Sequence, residues 1–432
     1  MTFADLIEKK KQNQQLTEVE IDWLIKSYLK EDIADYQMAS MLMAIWFNGM
    51  TEKETAALTK AYVESGITYD ISDIQGFKAD KHSTGGVGDK TTLVFAPLVA
   101  SYGIKVCKLS GRGLGQTGGT IDKLESFPGW KSEISDNEFK KVINKVGMSL
   151  MSQNEGLVPA DKKIYALRDV TGTVDSIPLI AASIMSKKLV IENDSLILDV
   201  KMGNGAFMKT LTEAENLAQA MIGIARQHNR QIAIMITDMN KPLGKAIGNA
   251  LEVKEAWDSL NGKGPEDFNH LVATAVAITL VQAQLFDDFD IAYQSVCQKM
   301  QTGEAAHIFE EFVKAQHGNF SVIKNYDKHF AVANSLEIKA MSSGYVNFTN
   351  ANQLGLLSMR LGAGRATKKD KIDFAAGIYL NADSGSRVNK GDTIMTLFTN
   401  KGIDPNWIDM AYQTFEISQK QTKTPVILKI IK

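Results

Sequence analysis

Two glycine-rich stretches hold the densest chemistry in this 432-residue chain. They are Lys81-His82-Ser83-Thr84-Gly85-Gly86-Val87-Gly88-Asp89-Lys90 and Ser110-Gly111-Arg112-Gly113-Leu114-Gly115-Gln116-Thr117-Gly118-Gly119-Thr120. Nine of the 35 residues from Gly85 to Gly119 are glycine, against 33 of 432 overall, so the clustering is local. Hydroxyls (Ser83, Thr84, Thr91, Thr92, Ser110, Thr117, Thr120) and cations (Lys81, Lys90, Lys108, Arg112) are interleaved with them. Glycine lets backbone N–H groups turn inward without a Cβ in the way, and such loops wrap a phosphate or sulfate. A small anion is the ligand these residues suggest. His82, one of six histidines, sits between a lysine and a serine, where it is a candidate acid.

Neither stretch contains the GxxxxGK[ST] of a nucleotide-binding P-loop. Nor is an acidic residue placed after the next strand to hold a dinucleotide's ribose. A second group, Tyr165, Arg168, Ser183 and Lys187, stands apart from the loops. Tyr165 and Arg168 are three apart, and Ser183 and Lys187 four apart, so each pair shares one face of a helix. Cations at the edge of the apolar stretch Ile177, Leu179, Ile180 and Ile184 suit a planar polar ligand. Glu252 and Glu255 read either as a cation site near Leu243 and Ala246 or as water-facing carboxylates, and local sequence favours water.

The elements that must position these residues alternate in texture. Residues 1–66 read as helices, with Thr17-Glu18-Val19-Glu20 and Thr51-Glu52-Lys53-Glu54 in capping-box form. The run from Tyr36 to Phe47 is apolar nearly all round, as in a buried helix. From residue 81 a glycine loop leads into a helix (Thr91 to Tyr102), then a strand (Ile104 to Leu109), then the second loop. Further strands are expected at 147–152, 195–201 and 231–237, with helices between. Residues 161–190 return to helix, with Ser176 as N-cap and Pro178 in the first turn. After 335, short β-type runs between turns mark a β-rich end.

The expected fold is therefore α/β with two helical segments, 1–66 and 161–190, forming one small all-helical domain. The larger α/β domain, with a central mixed sheet, spans 80–155 and 195–334, and a β-rich C-terminal portion spans 335–432. Net charge is −2 and 23% of residues are charged, so no basic field favours nucleic acid as partner. Lys9-Lys10-Lys11 and Lys368-Lys369-Asp370-Lys371 read as solvated surface. Cys107 and Cys297 are outside any CxxC or Cys/His spacing, which predicts neither a disulfide framework nor zinc and suits a reducing cytosol. No run is long enough to span a bilayer, so no membrane association is expected and the setting is read as cytoplasmic.

Both loops, with Asp122-Lys123-Leu124-Glu125 after the second, resemble the signature of pyrimidine-nucleoside and thymidine phosphorylases. The likeness continues through Ala160-Asp161-Lys162-Lys163-x-Tyr165-Ala166-Leu167-Arg168, Ser183-Ile184-Met185-Ser186-Lys187-Lys188 and Gly248-Asn249-Ala250-Leu251-Glu252-Val253-Lys254-Glu255, covering essentially the whole chain. It implies reversible phosphorolysis, with inorganic phosphate attacking C1′ of a pyrimidine nucleoside and domain closure assembling the site. By the same resemblance Lys81, Ser83, Thr92, Lys108, Ser110 and Thr120 hold phosphate. Arg168, Ser183 and Lys187 bind the base, Tyr165 and Leu114 pack around it, and His82 faces its O2.

The resemblance further implies a homodimer and a potassium site using Gly88, Leu243, Ala246 and Glu255. Lys90 stands beside that site where related bacterial enzymes often have threonine, and its ammonium either repels or replaces the ion. Gln116 replaces a histidine linked with closure. Lys108 distinguishes enzymes accepting uridine as well as thymidine and deoxyuridine. Two rival readings are an anthranilate-type phosphoribosyltransferase and a nucleoside-binding relative without catalysis. The first needs a magnesium-binding acidic pair, which is read as missing beside the second loop.

Overall fold

The computed structural model describes the chain except residues 114–117, 154–155, 229 and 368. The first four helices are α1 (Phe3–Lys11), α2 (Glu18–Leu29), α3 (Asp35–Asn48) and α4 (Glu52–Glu64). Then come β1 (Lys78–Ser83), α5 (Thr91–Ala100), β2 (Lys105–Ser110), α6 (Thr120–Leu124), α7 (Asp136–Val146) and β3 (Met148–Ser152). They are followed by α8 (Pro159–Thr171), α9 (Ile177–Leu189), β4 (Ser195–Met202), α10 (Leu211–Gln227) and β5 (Gln231–Asp238). Next are β6 (Ala246–Gly248), α11 (Ala250–Leu260) and α12 (Glu266–Gln282). The later strands are β7 (Asn334–Lys339), β8 (Gly344–Phe348), β9 (Gly377–Leu380), β10 (Arg387–Val388), β11 (Thr393–Thr399), β12 (Phe415–Ser418) and β13 (Ile427–Ile431).

The chain forms two compact units, one of residues 1–75, 153–194 and 212–232, the other of 76–152, 195–211 and 233–432. In the first, reciprocal side-chain-to-backbone bonds start α2 at Thr17/Glu20 and α4 at Thr51/Glu54, satisfying orphan N–H groups at both ends of each box. Leu24, Ile25, Met41, Leu42, Leu58 and Tyr62 form its core, and Ile164 and Leu179 from the distant α8 and α9 join them. The unit also takes in 212–232, which the sequence reading leaves in the α/β domain.

Two surface readings change. Helix α3 is not buried all round, since Tyr36, Trp46 and Phe47 are exposed. Lys10 is not solvated: it is buried, and its Nζ donates to Glu54 Oε1 at 2.9 Å. Burial would raise the Glu54 carboxyl, but N–H groups of Thr51 and Leu16 and the Lys10 ammonium hold it below its usual value.

The second unit is built on a six-stranded mixed sheet of order β13-β5-β4-β1-β2-β3. β1 runs parallel to both β2 and β4, β3 parallel to β2, and β13 antiparallel to β5. The chain leaves β1 for β2 and β3 on one side, then returns for β4 and β5 on the other. The order therefore reverses between β1 and β4, and such switch points bind ligands at the carboxyl ends of the strands. Residues Thr91 to Val99 of α5 are buried throughout, as expected of a helix enclosed between layers. Apart from β13, the strands of the β-rich end lie in two small sheets, β10-β8-β12 and β6-β9-β11-β7, the second joined by β6 from the α/β segment, and all belong to this unit.

Replacing Glu54 by Ala removes the counter-charge of buried Lys10 and the cap of α4 together. Urea unfolding should report a loss of about 3–5 kcal/mol. An unchanged midpoint would contradict the buried-pair assignment.

Candidate active site

The carboxyl ends of β1 and β4 carry a cluster of buried charges. Lys81 pairs in register with Ile197 and Ser83 with Asp199, so alternation places Lys81, Ser83, Asp199 and Lys201 on one face of the sheet. His82, opposite Leu198, falls on the other face. Asp199 is fully buried and takes charge from both lysines, at 3.0 Å from Lys81 Nζ and 2.7 Å from Lys201 Nζ. Thr237 Oγ1 of β5 donates to its second oxygen at 2.6 Å. Lys81 also donates to Thr91 Oγ1 at the start of α5 and lies 4.0 Å from Asp89. Asp89 accepts from the Thr91 hydroxyl at 2.6 Å and the Thr91 N–H at 3.2 Å.

These contacts shift titration in opposite senses. Burial would lower the Lys81 ammonium, but Asp199, Asp89 and Asp80 hold it above the ordinary lysine value. Burial would raise the Asp89 carboxyl, yet Lys81, Lys201 and hydrogen bonds from Ser83 and Thr91 hold it well below 3.8. Both groups are charged at neutral pH.

Beside them, buried Lys108 of β2 donates to Asp80 Oδ1 at 2.9 Å and to the Lys81 carbonyl. Ser110 ends β2, buried Thr92 lies in the first turn of α5, and Thr120 begins α6. Thus Lys81, Ser83, Lys108 and Ser110 come from the carboxyl halves of adjacent parallel strands. Thr92 and Thr120 start the helices that follow β1 and β2. Leu114 and Gln116 lie outside the described residues. The sequence reading missed Asp199 and Lys201, although polar residues at period two in the apolar Ser195–Met202 strand were a signal for one functional face.

The second group lies in the helical unit, where α8 and α9 bring its members together. Arg168 is buried and spends three N–H groups on backbone carbonyls: Nε to Thr173 (3.2 Å), Nη1 to Leu179 (3.1 Å) and Nη2 to Val174 (2.6 Å). A guanidinium has five N–H donors, so one on each terminal nitrogen is left for a ligand among the described residues. Burial lowers its pKa, opposed by Tyr62 and Asp161. The half-exposed Tyr165 ring lies 5.6 Å from the guanidinium carbon.

Lys187 Nζ donates to Ser183 Oγ at 2.8 Å, to the Ser183 carbonyl at 2.9 Å and to Asp161 of α8. Asp161, also missed, therefore fixes the lysine. Among the described residues its Oδ1 is buried with no hydrogen-bond partner.

Two carboxylates expected to face water are buried instead. Glu255 accepts from Lys90 Nζ and the N–H groups of Lys245 and Ala246. Glu252 lies 3.4 Å from Lys123 Nζ, and burial raises its carboxyl. Nor is the second loop without acids: Asp122 and Glu125 follow it, and they are engaged by Arg112 and Arg365.

The helical bundle, the sheet whose strand order reverses at a cluster of buried charges and the β-rich end each match a family model. Residues 4–66 match "Glycosyl transferase family, helical bundle domain", residues 75–306 match "Glycosyl transferase family, a/b domain", and residues 345–418 match "Pyrimidine nucleoside phosphorylase C-terminal domain". The chain is 49% identical over 431 residues to pyrimidine-nucleoside phosphorylase of Staphylococcus haemolyticus, covering all of both chains. It is 48% identical over 428 residues to that of Geobacillus stearothermophilus, covering 99% of each. The chain belongs to the pyrimidine-nucleoside phosphorylase family. Anthranilate phosphoribosyltransferase from Thermus thermophilus shares the fold, with a TM-score of 0.58 at 16% identity over 72% of this chain and 99% of that one.

The depressed Asp89 carboxyl contributes stability that is whole above 3.8, its unperturbed value, and is lost as pH falls through its lower folded value. The raised Lys81 contributes stability that is whole below 10.5 and is lost as pH rises through its higher folded value. Asp89→Asn should cost about 3 kcal/mol at neutral pH and flatten the acid limb below 3.8. Urea midpoints across the acid range would detect both effects, and an unchanged acid limb would refute the assignment.

Proposed function

We propose that the protein catalyses reversible phosphorolysis of uridine, thymidine and deoxyuridine, yielding the free base and α-D-ribose or deoxyribose 1-phosphate. The full-length similarity, 49% over 431 residues, carries this reading. In the proposed reaction a phosphate oxygen forms the bond to C1′ while the C1′–N bond breaks, and its electron pair leaves with the base. Attack from the face opposite the base inverts C1′. Negative charge grows on the pyrimidine and positive charge on the sugar, so fixed donors at the base and a dianion beside the sugar lower the barrier.

Lys81, Ser83, Thr92, Lys108, Ser110 and Thr120 are the proposed phosphate holders. Their placement at the carboxyl ends of the central strands and at helix starts supports this. Arg168, Ser183 and Lys187 are the proposed base-binding set, with Tyr165 and Leu114 packing around the ring and His82 facing O2. Carbonyl anchoring of Arg168, which leaves a donor on each terminal nitrogen among the described residues, supports it, because donors held in advance need no reorganisation during reaction. The two sets belong to different compact units, and domain closure, which the resemblance implies, is part of the proposed mechanism. Exposed Tyr36, Trp46 and Phe47 on α3 favour a homodimer formed through the helical unit. The two scattered cysteines suit a cytoplasmic setting.

Incubation with uridine and inorganic phosphate should release uracil, followed by absorbance. Turnover only with phosphoribosyl pyrophosphate and magnesium would replace this reading by the transferase one, and binding without turnover would make the protein a non-catalytic relative. Lys187→Ala should lower kcat/KM by roughly 10²–10³. Lys108→Met should lower uridine turnover more than thymidine turnover. Equal losses on both would remove Lys108 from sugar selection.

A further inference from the structure

The resemblance implies a potassium ion held by Gly88, Leu243, Ala246 and Glu255. The groups around those residues are not arranged for one. Lys90 Nζ donates to the Leu243 carbonyl at 2.9 Å, to the Ala246 carbonyl at 3.1 Å and to Glu255 Oε2. An ammonium has three N–H donors, so each has an acceptor. The Phe268 ring, 5.2 Å away, covers another side with its π face. Lys90 is 1% exposed, too little for water to share the charge.

The backbone is shaped around this contact. Gly88, at φ +74, approaches so closely that a Cβ would lie 2.6 Å from the Leu243 carbonyl oxygen. At Gly244, φ +70, a Cβ would come within 2.5 Å of Glu255 Oε2 and 3.0 Å of Lys90 Nζ. The Leu243 N–H donates to the Val87 carbonyl at 3.1 Å, binding the two loops directly. A potassium ion on the same oxygens would stand against a buried ammonium, and like charges in a site that excludes water repel strongly.

We propose that the Lys90 ammonium is a covalently supplied replacement for a monovalent cation. It ties the glycine loop that follows β1 to residues 243–246 and to α11, and makes this chain independent of potassium. An ammonium is close to potassium in size and charge, and being part of the chain it is present at any salt composition. Lys90 is then a positioning residue: it holds the loop that precedes Thr91 and Thr92 without touching substrate. The functional consequence rests on the phosphorolysis reading, but thermal unfolding does not, so failure of one is distinguishable from failure of the other.

The test compares the wild-type chain with Lys90→Thr, which clears the space and leaves a hydroxyl oxygen, and Lys90→Met, which keeps the bulk without charge. Each is melted in potassium, sodium and choline chloride at equal ionic strength. The wild-type Tm should be the same in all three salts, and its KM for phosphate should not change when choline replaces potassium. Lys90→Thr should melt several degrees lower in choline and recover most of the loss in potassium, saturably. Its KM for phosphate should follow the same potassium dependence. Lys90→Met should melt lower with no rescue by any salt.

A wild-type Tm that rises in potassium over choline would overturn the proposal, and that arm needs no variant to fold. So would a Lys90→Thr protein that no monovalent cation restores, or one as stable as wild type in choline.

Discussion

Asp199 is the constraint around which the α/β unit is organised. Two lysines, Lys81 and Lys201, are buried at the ends of parallel strands, and a buried ammonium without a counter-charge costs several kcal/mol. Asp199, a carboxylate with no exposure, stands against both, Asp89 adds to the pairing of Lys81, and Thr237 donates to the other Asp199 oxygen. This requires β1, β4 and β5 to be neighbours in register, since a one-residue slip would turn each polar residue to the opposite face. The strand order that delivers the pairing also creates the reversal between β1 and β4, so electrostatic satisfaction and the switch point come from one topological choice.

The lysines nearby solve the same problem in different ways. Lys81 is placed between carboxylates and keeps its proton beyond neutral pH, whereas Lys90 is placed mainly among carbonyl oxygens. Carbonyls hold a cation through oriented dipoles and leave the site with less net negative charge. Lys108, on Asp80 and the Lys81 carbonyl, combines both modes. In a cluster built this way the buried ammonium groups and carboxylates answer one another. The helical unit shows the same economy, with Arg168 anchored by three carbonyls and Lys187 fixed by Ser183 and Asp161.

Much of this was legible before any coordinates. The two glycine stretches, the helix starts at Thr17 and Thr51, the strands after 104, 147, 195 and 231, and the paired faces of Tyr165/Arg168 and Ser183/Lys187 follow from periodicity within single elements. Lys10, Glu252 and Glu255 were misread as surface because charge alone does not reveal burial. The third segment of the helical unit, 212–232, carries the same apolar periodicity whichever core it joins. β13 closes an edge of the main sheet from the far end of the chain, which no local pattern announces.

The sequence by itself determined which residues share a loop or a helix face, because glycine loops, capping boxes and three- or four-residue spacings act over short range. Only the tertiary structure decided which charges meet. Lys81 finds Asp199 across 118 residues and Lys90 finds Glu255 across 165. Those partnerships depend on strand order and on the close approach of two loops. Desolvation then makes them obligatory, since a buried charge must be answered by whatever the fold places within hydrogen-bond distance.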